Sequence, residues 1–175
     1  MSLLSRFKDA YRTRRAFRWA VEGFLLAALL LAIGAWQTRR HLSDVPVPDF
    51  TLPTLEGGTV SSSSLRGQPT MLVLWAPWCG VCKAQSDNVN RVQRWLAGRA
   101  RVVSMALAYE AKADVEAAAK AEGMEYPVLL GDSALETTFH VDAYPTVYFL
   151  DEAGHIKRSA SGYTTTLGML WRLWL

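Results

Sequence analysis

Cys79 and Cys82 are the only cysteines in the chain, and they stand in Trp78-Cys79-Gly80-Val81-Cys82, directly after the apolar run Thr70–Trp75 and at the head of a stretch with helical periodicity. Three positions on a helix bring the second sulfur under the first. Free amides and the helix dipole at that end favour an anion, so Cys79 is expected to ionise below the ordinary thiol value of about 8.5. The chemistry this permits is dithiol exchange. Cys79 attacks a disulfide, Cys82 attacks the resulting mixed disulfide, and the pair closes into a small ring. Cys79 is the expected nucleophile and Cys82 the resolving thiol.

Other uses of two cysteines fit this position less well. A structural bridge is possible in an exported protein, but one closing so short a loop restrains the unfolded chain little. A zinc site needs two further ligands; there is no second C-x-x-C, and His41, His140 and His155 lie far apart without ligand spacing. Inert buried cysteines have no need of a helix start. The reading therefore calls for no metal and no cofactor.

The elements around the pair follow from periodicity. Phe50–Leu52 and Thr59–Val60 around Glu56-Gly57-Gly58 predict a hairpin, and the SSSSLRG stretch a capped turn. The continuous apolar run Thr70–Trp75 predicts a strand covered on both faces. Val81, Val89, Val92, Trp95 and Leu96 mark a helix closed by Gly98. Then come a strand at 102–107, an Ala-rich helix at 113–122, a strand at 127–130, a short helix at 134–139, strands at 146–150 and 156–162, and a final helix at 165–174. Strands alternating with helices indicate an α/β sandwich around a mixed central sheet.

The N-terminal part reads differently. Gly23–Thr38 carries no charge, and Trp19 and Trp36 bracket the apolar stretch, aromatics of the kind found at membrane interfaces. Arg6, Lys8, Arg12, Arg14, Arg15 and Arg18 precede it, and only Arg39 and Arg40 follow closely. That asymmetry predicts a basic cytoplasmic segment at 1–18, a single-pass transmembrane signal-anchor helix at 19–38 in the inner membrane, and everything beyond it in the periplasm. A cleaved secretory signal is the rival, with Ala32 and Gly34 at a possible cleavage spacing. Residues 39–49, with Pro46 and Pro48, predict a linker, and 50–175 one folded domain. The formal charge of +3 is thus concentrated around the apolar segment. The remaining body is net acidic, which argues against nucleic acid as a partner.

Val73–Lys83 (VLWAPWCGVCK) resembles the active-site segment of the thioredoxin superfamily, and Tyr144-Pro145-Thr146 is similar to the cis-proline loop that faces it. The opening VPDFTLPTLEGG and the extra strand and helix at 101–123 resemble the TlpA/ResA-like group, typically anchored extracytoplasmic thiol reductases. The ending, with Gly162-Tyr163 and Trp171-Arg172-Leu173-Trp174, resembles ScsD-type proteins of the suppressor-of-copper-sensitivity set. The resemblance implies a thioredoxin fold with an N-terminal hairpin and a β-α insertion, protein thiols and disulfides as substrates, and a membrane protein as electron donor. It implies that Trp78, Tyr144 and a cis Pro145 contact substrate, and that Gly80 and Val81 tune the potential. Two departures stand out. The thioredoxin aspartate position holds Val73, and the position where ResA-like proteins often have a glutamate holds Gln85, so the proton acceptor for Cys82 is not identified. Reduction, oxidation or isomerisation of disulfides, and Cu(I) binding by the two thiolates, all remain open at this point.

Overall fold

The computed structural model describes residues 15–37 and 41–174. They fall into two units, which are taken separately. The first is helix α1, Arg15–Gln37, whose 23 residues include no proline and many alanines and leucines. Its described side chains are those of residues 17–29 and 32. Arg18 and Glu22 form an ion pair one turn apart at 3.6 Å, and Phe24, Leu25, Leu26 and Leu29 are exposed. Among the described residues no helix is long and apolar enough to cross a membrane. The end of the apolar run on which a spanning helix was expected lies outside the described side chains, as do residues 1–14.

The second unit is built on a six-stranded sheet in the order β1-β8-β7-β4-β5-β6. β4 (Thr70–Trp75) is central and pairs in parallel with β5 (Arg101–Ala106), which pairs in parallel with β6 (Val128–Leu130). On its other side β4 runs antiparallel to β7 (Thr146–Leu150), followed by β8 (His155–Ser161) and the short β1 (Val45–Pro46). The sheet is mixed, as the sequence predicts. All six β4 residues are buried because both faces are covered. Met71 and Val73 pack with Val89, Val92 and Leu96 of helix α2 (Gly80–Leu96) and with Met169 and Leu173 of the last helix. Leu72 and Leu74 face the opposite way, toward Phe50, Leu65 and Phe139. A strand that alternates between two apolar layers has no polar side, which is why its sequence is a continuous apolar run.

The remaining elements complete these layers. β2 (Thr51–Pro53) and β3 (Thr59–Ser61) form the expected hairpin, and a 3-10 turn over Ser62–Leu65 leads into β4. Helix α3 (Lys112–Ala121) packs Val115, Ala118 and Ala119 around Trp75, Ala106 and the two cysteines. α4 (Ser133–Thr138) is capped by the Asp132 carboxylate, which accepts from Leu135 N at 3.1 Å. α5 (Thr166–Trp174) closes the chain. Helix α2 ends on Ala97 in the left-handed region (φ 45°), so the turn begins one residue before the glycine on which the sequence places it.

The segment expected as a linker differs most from expectation. Val45 and Pro46 pair with Ile156 and His155, Val47 N donates to Gly154 O at 2.9 Å, and Val47 is buried. His41 is also buried, its Nδ1 2.9 Å from Ser159 Oγ. Prolines suggested free chain, but a proline is tolerated on the outer edge of a sheet because no further strand needs its missing amide.

Candidate active site

β4 ends at Trp75, and the chain turns through Ala76-Pro77-Trp78 into α2 at the carboxyl ends of the parallel strands, where α/β sheets leave a crevice. Cys79 is the N-cap of α2. Its amide donates to Ala76 O at 3.1 Å, and its carbonyl accepts the first helical bond, from Lys83 N at 3.2 Å. Cys79 and Cys82 are joined as a disulfide, with Cα atoms 5.3 Å apart. Cys82 N donates to Cys79 Sγ at 3.1 Å, so the cap role of Cys79 is filled by its own sulfur. After reduction the same amide faces the Cys79 thiolate, the arrangement expected of a nucleophile at a helix start. Exposure does not separate the two cysteine residues in this oxidised state, since Cys79 is 6% and Cys82 5% exposed.

Three expected substrate-contacting residues gather beside the pair. Trp78 is 67% exposed, with its Nε1 donating to Ala108 O at 2.8 Å. Its ring stands edge-on to Tyr144, centroids 5.8 Å apart. Tyr144 precedes a cis peptide bond to Pro145. That proline is brought to the site because β7 pairs antiparallel with β4, setting Thr146 opposite Leu74. The Tyr144 hydroxyl donates to Glu136 Oε1 at 2.9 Å, and burial, then this bond and the Glu136 charge, push its pKa up. It is a fixed neutral donor, held away from any role as a base. Gly80 and Val81 lie on the outer side of the ring, where Gly80 has open space at its Cα and Val81 is exposed.

Several features of the site were not anticipated. A groove of about 630 Å³ runs from Trp78 past Ala108 and Tyr109 to Ala117 and Ala121 of α3, with Lys83 and Asp114 on its walls. On the inner side of the pair a small cavity of about 10 Å³ is lined by Trp75, Cys82, Gln85, Ser86, Tyr126 and Pro145, among others. Two of these lining residues carry buried donors, Trp75 Nε1 and Gln85 Nε2, that have no hydrogen-bond partner among the described residues. The Gln85 amide is oriented unambiguously: Oε1 accepts from Thr164 N at 2.6 Å, which turns Nε2 the other way. In the sequence Gln85 reads only as a missing carboxylate. No sequence pattern connects it with Trp75 or with Thr164, which lies 79 positions away.

A central mixed sheet, a cysteine pair capping the helix after the middle strand and a cis-proline loop opposite it define the thioredoxin-like class. Residues 44–159 match the AhpC/TSA family, and the chain belongs to that family. It is 31% identical over 112 residues to thioredoxin-like protein YneN of Bacillus subtilis, covering 63% of this chain and 66% of that one. It is 27% identical over 154 residues to sporulation thiol-disulfide oxidoreductase A of the same organism, covering 81% and 87%. Among solved structures, the exposed lipoprotein thioredoxin Etrx1 of Streptococcus pneumoniae superposes with a TM-score of 0.66 at 26% identity, covering 72% of this chain and 98% of that one. The matched part spans just under two thirds of YneN and 38% of the soluble secreted antigen MPT53 of Mycobacterium tuberculosis. The family match ends before the tail that resembles ScsD-type proteins.

Proposed function

We propose that this chain is a protein thiol-disulfide oxidoreductase that reduces disulfides of exported proteins from the outer face of the inner membrane. The observation that carries the reading is Cys79 as N-cap of α2, with Cys82 N aimed at its sulfur and the Tyr144-Pro145 turn and Trp78 beside it. Reduced Cys79 attacks a client disulfide, one client sulfur leaves as a thiolate, and Cys79 holds the other. Cys82 then attacks Cys79, expels the second client thiolate and regenerates the ring, so that two electrons pass to the client. A membrane protein returns the pair to the dithiol.

Anchoring and export are supported by the charge asymmetry about the apolar run and by the exposed Phe24, Leu25, Leu26 and Leu29 of α1. The reducing direction is supported by the resemblance of the opening segment and the 101–123 insertion to ResA-like reductases. The reduction potential of the Cys79/Cys82 pair tests it. A value near that of thioredoxin, about −270 mV, is expected, whereas one near −120 mV identifies an oxidase. The Cu(I) alternative, with the two thiolates as soft ligands, requires tight metal binding by the reduced pair with no exchange activity.

A further inference from the structure

Cys82 must lose a proton before it can attack, yet the positions that carry the acceptor in related folds hold Val73 and Gln85. The surroundings of the inner sulfur supply another route. Ser86 is 2% exposed, lines the cavity beside Cys82, and donates to Lys83 O at 2.8 Å with Glu122 Oε2 3.3 Å away. Glu122 follows α3 and is partly exposed. Its carboxylate therefore touches bulk water on one side and the wall of the cavity on the other. The cavity's volume of about 10 Å³ is close to what a single water requires. Such a water also needs two to four polar partners. Trp75 Nε1 and Gln85 Nε2 are two donors without a partner among the described residues, Ser86 Oγ offers lone pairs, and Cys82 Sγ donates as a thiol and accepts as a thiolate.

We infer that Glu122 is the proton acceptor for Cys82, reached through Ser86 and one water molecule held by Trp75 and Gln85. The inference rests on the dithiol reading above. While Cys82 is a thiol, the water accepts its S–H on one lone pair and a bond from Trp75 Nε1 or Gln85 Nε2 on the other, and it donates a proton to Ser86 Oγ. In the resolving step the Cys82 proton passes to this water, a water proton passes to Ser86 Oγ, and the Ser86 proton passes to Glu122. The Cys82 thiolate then forms a bond to Cys79 Sγ as the bond from Cys79 to the client sulfur breaks, and the client leaves as a thiolate. Glu122 returns its proton to solvent. Trp75 and Gln85 are positioning residues. The other ionisable groups facing this path are Cys79 on α2, Lys83 on the wall of the adjacent groove, and Tyr126 ahead of β6. Burial, and secondarily the Glu122 charge, hold the Tyr126 hydroxyl protonated. Glu125 is engaged by Arg94 at 2.5 Å.

The test follows the reduced full chain with glutathione disulfide as probe. The first glutathione thiolate released reports attack by Cys79, and the second reports resolution by Cys82. Glu122→Gln is expected to slow the second release by about a hundredfold at pH 7, the scale of a lost general base, and to abolish the acidic limb of its pH profile. The first release is expected to be unchanged. Ser86→Ala, which breaks the path from the other end, is expected to do the same. Trp75→Phe is expected to slow the second release while keeping the acidic limb, because the acceptor survives. Gln85→Glu places a carboxylate in the cavity itself and is expected to restore resolution to the Glu122→Gln chain. A Glu122→Gln profile that superimposes on the native one overturns the inference, and so does a double variant as slow as Glu122→Gln alone. A native chain that releases no glutathione at all fails the dithiol reading instead, so the two failures are distinct.

Discussion

Trp78 is the residue whose exposure most needs a reason, because a two-thirds exposed tryptophan beside a reactive disulfide contributes little to the core. Its ring is fixed from two sides, by the bond from Nε1 to Ala108 O and by the edge contact with Tyr144. A rigid aromatic surface next to the attacked sulfur favours clients with extended, partly apolar segments around their disulfide. Trp78→Ala is therefore expected to lower kcat/KM for a peptide disulfide by about tenfold, on the scale of a modest anchor residue. The rate with glutathione disulfide, too small to span the ring, is expected to stay within twofold. Equal losses on both substrates would show that Trp78 acts on the sulfur chemistry and not on client binding.

At the scale of elements, the edge strand β1 ties the start of the folded unit to β8, and His41 sits just before it. Burial lowers the His41 pKa from its ordinary 6.5, outweighing the opposing charge of Asp142. The folded pKa lies below the unfolded one, so the unfolded chain takes up the proton more readily. Stability from this site is complete above about pH 6.5 and declines as pH falls below it, by no more than about 1.4 kcal/mol per unit. His41→Asn is expected to flatten that part of the profile, read as the difference in Tm between the two chains from pH 7.5 to 5.5. Parallel slopes would show that His41 keeps its proton equilibrium on folding. This edge was also the least legible part of the fold. Strand β4 and helix α2 announce themselves through unbroken or periodic apolar residues, and the hairpin through paired glycines. β1 is two residues long, contains a proline, and exists only because β8 leaves an edge open to it. The site divides in the same way. Cys79, Cys82 and the Tyr144-Pro145 turn are local motifs, whereas the cavity behind Cys82 joins residues from β4, α2, the chain ahead of β6 and the cis-proline turn, and only the packed fold brings them together.

At the scale of the whole molecule, a folded dithiol unit follows a helix whose exposed Phe24, Leu25, Leu26 and Leu29 and basic preceding sequence are the features on which the proposed anchor rests. In the proposed function Cys79 attacks clients and Cys82 releases them. Replacing Cys82 by Ser removes release and preserves attack, while replacing Cys79 by Ser removes attack at the helix start. The direct measurement is a non-reducing gel of membrane fractions from cells making each variant as the full chain, with mass spectrometry of the bands. Cys82→Ser is expected to accumulate thiol-sensitive adducts, through Cys79, with cysteine-containing exported proteins, and Cys79→Ser to accumulate few. Adducts formed equally by both variants, or by neither, would contradict the proposed function.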